Sequence, residues 1–306
     1  MTKVEQLMHI LHVWDQAGVA YTLAKYQQEL QKNDAKVIMI GNYNKYGIID
    51  FYKQYIVNVT LEEFTEKCIE KAKSADIIHI HSRIDILLKL RQKFGRSKKI
   101  ILHYHGTDIR GLKKQKLPHR SRLSDLAVGS ILMYRRIRDK ILFRRRMHIN
   151  AQRMADTIIV STPDLLELVP KGIHLPNPVD TDHFKPDSIS KNEQKEALTI
   201  DTEVTDIQWA LDYCKRHNIP LNIEVYNRIK DPIIYKDMPD FLRRYKIYVD
   251  IRYVNENILE NLSKTALEAL ACGLKVLDYQ LKYRQGLPRE HDPINVISRL
   301  STIYSQ

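Results

Sequence analysis

Runs of aliphatic and β-branched residues alternate with helix-length amphipathic segments, and this alternation constrains the fold more than any other feature of the chain. The strand-like runs of the first half are 4–13, 35–40, 76–81, 99–104 and 156–161. Between the first two, Val19, Leu23, Tyr26, Gln27 and Leu30 form one helical stripe, and 61–73 and 85–93 repeat the helical spacing. Strand–helix–strand units of this kind build a parallel sheet with helices on its faces. A chain of 306 residues is long enough for two such domains of about 150 residues each.

The second half ends in the most informative unit. Residues 245–253 are rich in β-formers, Leu262, Ala266, Ala269, Leu270 and Gly273 fall at helical spacing, and Lys275-Val276-Leu277 starts a new strand. Ala266, Ala269, Ala271 and Gly273 are small, so this helix can lie close to the sheet. Glu260 precedes it and Glu268 lies inside it, about two turns or roughly 12 Å apart along the axis. A helix N-terminus offers free N–H groups and a positive dipole end to an anion. One carboxylate can then hold polar groups on one side of a bound phosphate while the other holds hydroxyls on the far side. The remaining pieces read as a strand at 196–200, a helix at 206–217, a strand at 221–226, a short helix at 238–244 and a terminal helix at 293–304. The proline-rich stretch 172–184 reads as a hinge, and the polar stretch 185–196 as a link.

Ligands of open α/β sheets bind beyond the carboxyl ends of the strands. His105 stands at such an end and is followed by a glycine; a strand-end histidine bonding a neighbouring loop would look the same. Gly18, in the loop after the first strand, suits either a turn or the close approach of a ligand. His79 and His81, and likewise His103 and His105, form His-x-His pairs whose members share a face on adjacent strands. No carboxylate accompanies them in the pattern, and no metal site is expected.

The run Glu260-x7-Glu268-Ala-Leu-Ala-Cys-Gly-x-x-Val276 resembles the nucleotide-sugar site of retaining family-4 glycosyltransferases. Asp-Ile-Ile-His-x-His at 76–81, His-x-His-Gly-Thr-Asp at 103–108, Ala-Asp-Thr-Ile-Ile-Val-Ser-Thr at 155–162 and Pro-Asn-Pro-Val-Asp-Thr-Asp-x-Phe at 176–184 resemble the same family, in its order. The resemblance implies an α/β protein of the GT-B architecture, two Rossmann-like domains with parallel sheets facing across a cleft. Residues 1–175 would form the acceptor-side domain and 176–306 the nucleotide-sugar domain. It implies Glu260 on the transferred sugar, Glu268 on the nucleotide ribose, His105 near the reacting sugar and Gly18 allowing close approach. Asn261, Leu262, Ser263 and Thr265 would line the donor site at the helix start. The family's Gly-Phe-Gly is replaced by Asn261-Leu262-Ser263, and its diphosphate-gripping Gly-Arg and Lys are missing from 201–206. Arg228, Lys230 and Arg252 are candidates to replace that grip. The implied activity is metal-independent, retaining hexosyl transfer from a nucleotide diphosphate-sugar to a glycan or lipid-linked acceptor, without a cofactor. The rivals are a catalytically degenerate binding relative and a nucleic-acid-binding protein.

A net charge of +12 calls for an anionic partner. Much of it lies in a basic insertion at 110–153, where Arg135, Arg136, Arg144, Arg145 and Arg146 alternate with apolar residues. A basic helix with an apolar stripe suits an anionic membrane surface, and a solvated helix packed on its own domain is the alternative. Few aromatics and no recognised motif argue against nucleic acid. Three widely separated cysteines, no apolar run near 18 residues and charged or polar residues early in the chain favour a cytoplasmic protein, peripheral at the inner face of the cell membrane.

Overall fold

The computed structural model describes residues 7–15, 17–106, 108–110, 144–187, 194–202, 205–254 and 257–306. The first sheet holds seven parallel strands in the order β3-β2-β1-β4-β5-β6-β7. They are β1 (His9–Val13), β2 (Asp34–Ile40), β3 (Ile56–Val59), β4 (Ile77–His81), β5 (Lys99–Tyr104), β6 (Thr157–Val160) and β7 (Ile173–His174). The chain winds outward from β1 to β3, then restarts at β4 on the other side of β1. That reversal opens a crevice beyond the carboxyl ends of β1 and β4. Every residue of β4 is buried, including both histidines, so the sheet is covered on both faces.

The second sheet runs β14-β13-β10-β8-β9. Its strands β8 (Lys195–Asp201), β9 (Ile223–Asn227), β10 (Tyr245–Val249) and β13 (Lys275–Leu277) are parallel, and β14 (Tyr283–Gln285) is an antiparallel edge. Its reversal lies between β8 and β10. The β-rich run 245–253 is broken in two. Buried Asp250 accepts the Ser263 N–H at 2.7 Å and turns the chain, and Tyr253–Val254 (β11) forms a small hairpin with Asn257–Ile258 (β12). The segment opened by Pro163 is a 3₁₀ turn, Pro163–Glu167.

One apolar core runs continuously from the first sheet through Tyr21, Tyr52 and Tyr235 to Leu198 and Val276 in the second. Separate cores lie behind each sheet, around Phe64, Ile78 and Leu87, and around Ala197, Ala210 and Leu277. Asp180, fully buried on the connection between the sheets, accepts hydrogen bonds from Lys25 Nζ (2.7 Å) and the hydroxyls of Tyr26 (3.1 Å) and Tyr52 (2.8 Å). The terminal helix, Pro293–Ser305, crosses back to the first helix, Val19–Gln31, where Gln27 Nε2 donates to the Tyr304 hydroxyl at 3.2 Å. Among the described residues no helix is long and apolar enough to cross a membrane.

Candidate functional site

The helix Lys264–Ala271 begins at the reversal point of the second sheet. Ser263 caps it by accepting the Ala266 N–H at 3.0 Å, and its alanines are buried against the sheet. This packing fixes the direction of Glu268, which is 6% exposed and accepts no hydrogen bond among the described residues. Burial pushes its carboxyl up to about 7, against the pull of Lys264 and Arg228. Lys264 opens the same helix and donates to the Pro178 carbonyl. Its ammonium is lowered by burial and raised by Glu268, Asp180 and Asp15. Arg228 follows β9 and lays its guanidinium 4.2 Å from the ring centroid of Tyr46, which belongs to the first half. Its buried Nε has no hydrogen-bond partner among the described residues. A carboxylate, an ammonium and a guanidinium thus converge where the two sheets face each other.

The first half contributes the start of its first helix. Gly18 is left-handed (φ +78°), and an added Cβ would stand 3.1 Å from Ile48 Cδ1. Its N–H and that of Ala20 both donate to the Asp15 carboxylate at 2.7 Å. Burial raises Asp15 to about 6, and these N–H groups together with Lys264 oppose the rise. Gly18 therefore serves the cap, and its N–H is already engaged.

The loop before the helix Lys264–Ala271 is tied down separately. Arg252 donates to the Asn261 carbonyl and to Asn261 Oδ1 (2.6 Å), and its Nε stands 3.2 Å from Asp250 Oδ1. Asn261 Nδ2 reaches across to Asp164 Oδ1 at 3.3 Å, and Arg110 grips the same Asp164. Leu262 packs against the shared core and Thr265 is half-buried. Glu260 is exposed and makes no hydrogen bond or ion pair among the described residues.

His105 lies at the end of β5, its N–H held by Asp108 at 3.0 Å. The following Gly106 has φ +111°, and an added Cβ there would be 2.1 Å from an Arg110 nitrogen. Both ring nitrogens of His105 are engaged: Nδ1 with Ser161 Oγ (2.8 Å) and Nε2 with His81 Nδ1 (2.9 Å). Desolvation lowers its pKa to about 4, with Asp108 opposing. His79, His81 and His103 stack in a cluster with it, and His12 lies tilted against His79 and His81. The trios His12/His79/His81 and His81/His103/His105 keep their ligand atoms within 4.8 Å of one another, close enough for a cation. Every one of those nitrogens, however, already has a hydrogen-bond partner.

Of the basic insertion, Arg135 and Arg136 lie outside the described residues. Arg144, Arg145 and Arg146 open the helix Arg144–Met154, on which Arg146 is exposed. Lys230 is exposed beyond β9. Sequence reasoning overlooked Lys264 and Asp15. The signal for Lys264 was its place four residues, one helical turn, before Glu268.

No protein-family model matches the chain, and the search of curated proteins found no match. Solved structures do resemble it. An "alpha-glucosyltransferase in complex with UDP and a 13-mer DNA containing a central A:G mismatch" has a TM-score of 0.53 at 14% identity, covering 98% of this chain and 90% of that one. An "alpha-glucosyltransferase (AGT) in complex with UDP" gives 0.53 at 14% identity, over 98% and 91%. A third, in complex with UDP-glucose and DNA containing an abasic site, gives 0.50 at 15% identity, over 97% and 90%. At such identities the likeness is one of fold. The chain has the GT-B architecture, two Rossmann-like sheets facing across a cleft.

Proposed function

We propose that this chain is a retaining, metal-independent glycosyltransferase of the family-4 kind. It would move a sugar from a nucleotide diphosphate donor to a glycan or lipid-linked acceptor. The observation that carries the reading is the buried Glu268 carboxylate, without a hydrogen-bond partner among the described residues and facing Lys264 and Arg228 at the reversal point of the second sheet. A largely desolvated carboxylate with no protein donor is a ready acceptor for ligand hydroxyls. Two ribose hydroxyls would serve. Lys264 and Arg228 then stand where the diphosphate of the same nucleotide would lie, in place of the family's missing Gly-Arg and Lys.

In this reading residues 176–306 take the donor and 1–175 the acceptor. Glu260, Asn261, Leu262, Ser263, Thr265 and Arg252 surround the transferred sugar, with His105 and Gly18 on the opposite wall. The bond from the anomeric carbon to the diphosphate oxygen breaks, and the acceptor oxygen bonds to the same face of that carbon. The acceptor's proton leaves with the nucleotide diphosphate. Cations and helix dipoles stabilise the developing negative charge as it forms. The basic insertion, with Arg135, Arg136 and Arg144 to Arg146, would rest on an anionic membrane that presents the acceptor at the inner face of the cell. The similar structures are described with bound UDP or UDP-glucose, which makes UDP-sugars the first donors to try.

The test is slow hydrolysis of a panel of nucleotide diphosphate-sugars by the purified chain, with and without EDTA. One donor should be turned over, EDTA should not stop it, and Glu260→Ala should abolish it. No turnover with any donor would point to the catalytically degenerate relative.

A further inference from the structure

Four buried histidines and the half-buried His105 belong to a closed ring of hydrogen bonds. Starting at Gln27, Nε2 meets the Tyr304 hydroxyl (3.2 Å), which meets His79 Nδ1 (2.7 Å). His79 Nε2 meets His103 Nδ1 (3.1 Å), and His103 Nε2 meets Ser161 Oγ (2.9 Å). Ser161 Oγ meets His105 Nδ1 (2.8 Å), and His105 Nε2 meets His81 Nδ1 (2.9 Å). His81 Nε2 meets His12 Nδ1 (3.0 Å), and His12 Nε2 returns to Gln27 Oε1 at 2.8 Å. Eight groups make eight links, and all ten imidazole nitrogens are engaged.

The hydrogens can be counted. Each neutral imidazole brings one N–H, and Ser161, Tyr304 and the Gln27 amide bring one each to the ring. Eight hydrogens serve eight links, so every link is filled only if all point the same way around. Gln27 fixes the sense. Its oxygen can only accept, so His12 donates through Nε2, and each following imidazole must then donate through Nε2 and accept at Nδ1. Turning the amide over would reverse all eight links together.

We propose that Gln27 and Tyr304 are positioning residues: they close a proton-ordered circuit that gives all five imidazoles one tautomer and holds His105 neutral at the cleft. Along one arm His105 is three links from Gln27, so a side chain on the first helix decides which of its nitrogens carries the hydrogen. A ninth hydrogen would put two donors in one link, so the closed circuit resists protonation as a unit. Burial acts in the same direction on all five imidazoles. The other groups facing the circuit are Asp108 beside His105, His174 beside His103, and Lys99, whose ammonium donates to the Tyr304 carbonyl. No carboxylate is bonded to any of the five imidazoles among the described residues. The inference rests on the proposed function only in treating His105 as a residue of the active cleft.

The experiment is two-bond ¹H–¹⁵N correlation of the ligand-free full chain, which separates Nδ1–H, Nε2–H and imidazolium forms, assigned by single His→Gln variants. Wild type should show five histidines sharing one neutral tautomer at pH 7.5 and keeping it to about pH 5, below the ordinary titration of histidine near 6.5. Tyr304→Phe, nearly isosteric, opens the ring and frees an end for the extra hydrogen. One of the five should then titrate at least tenfold more readily than in wild type, a rise of one pH unit or more. Gln27→Met, opening the same ring from the other helix, should do likewise. Mixed tautomers or an imidazolium among the five at pH 7.5 would overturn the proposal. So would unmoved titration in both variants, or uptake of an equivalent of Zn²⁺ by the wild-type histidines. No nucleotide is in the tube, so this result and the donor test succeed or fail separately.

Discussion

Replacing Glu268 by glutamine should make the ligand-free protein more stable while weakening its hold on a nucleotide. Burial raises the Glu268 carboxyl from 4.5 to about 7. A carboxyl whose folded pKa lies above its unfolded value favours folding when protonated, so its contribution to stability is full below pH 4.5 and is lost as pH rises through 7. Each pKa unit is worth 1.36 kcal/mol, so the ionised side chain costs about 3 kcal/mol above pH 7. Glutamine has nearly the shape of the protonated acid and never ionises. Glu268→Gln should therefore match wild type at pH 4.5 and exceed it at pH 8 by up to about 3 kcal/mol, several degrees in melting midpoint. Urea titrations of both proteins from pH 4.5 to 8.5 read the difference directly. The same variant should bind a nucleotide diphosphate more weakly by about 1.5–3 kcal/mol, the usual loss for a hydrogen bond to a charged group. Gain of stability with loss of binding is the expected trade at a site built for a ligand. A variant less stable than wild type at every pH, or a difference independent of pH, would refute the reasoning.

Further outcomes follow from other parts of the molecule. The histidine circuit should contribute a loss of stability as pH drops from 6.5 towards 4, because the unfolded chain takes up protons that His12 and His105, both near 4 when folded, refuse; the difference in urea midpoint between pH 7 and 4.5 should shrink when His12 and His105 are replaced by glutamine. Asp15→Ala removes the acceptor of two helix-start N–H groups and should cost about 1–2 kcal/mol by chemical denaturation. If the basic insertion lies on a membrane, the protein should co-sediment with anionic but not neutral vesicles, and neutralising Arg144, Arg145 and Arg146 should remove about 1 kcal/mol per charge.

The first sheet was legible in the sequence because its strands are continuous apolar runs separated by amphipathic helices. The strands β4 and β5 match the runs at 76–81 and 99–104 to within a residue. The strands β3, β7, β12 and β14 were not visible. β3 and β7 are half-buried and short, and β14 is an exposed edge whose Tyr-Arg-Gln carries no periodicity. The His-x-His pairs do share faces on neighbouring strands, as alternation requires. Their closure into a ring was beyond reach, since Gln27 and Tyr304 lie 277 residues apart and meet only because the last helix folds back. Of the residues expected at the site, some lie together in the fold. Glu268 and Arg228 converge, but Lys264 went unnoticed because an ammonium on a helix's first turn usually reads as a solvated charge. Glu260 faces solvent.

The central claim is that a nucleotide diphosphate sits between Glu268, Lys264 and Arg228. The most direct measurement is a melting panel of UDP, GDP, ADP, dTDP and CDP, with and without magnesium, on wild type, Lys264→Ala and Arg228→Ala. A ligand at a hundredfold excess over its Kd stabilises the folded state by about 2.7 kcal/mol. One nucleotide should raise the wild-type midpoint with or without the metal, and the rise should shrink in both variants. No shift with any nucleotide at millimolar concentration, or a shift that both variants keep in full, would contradict the account.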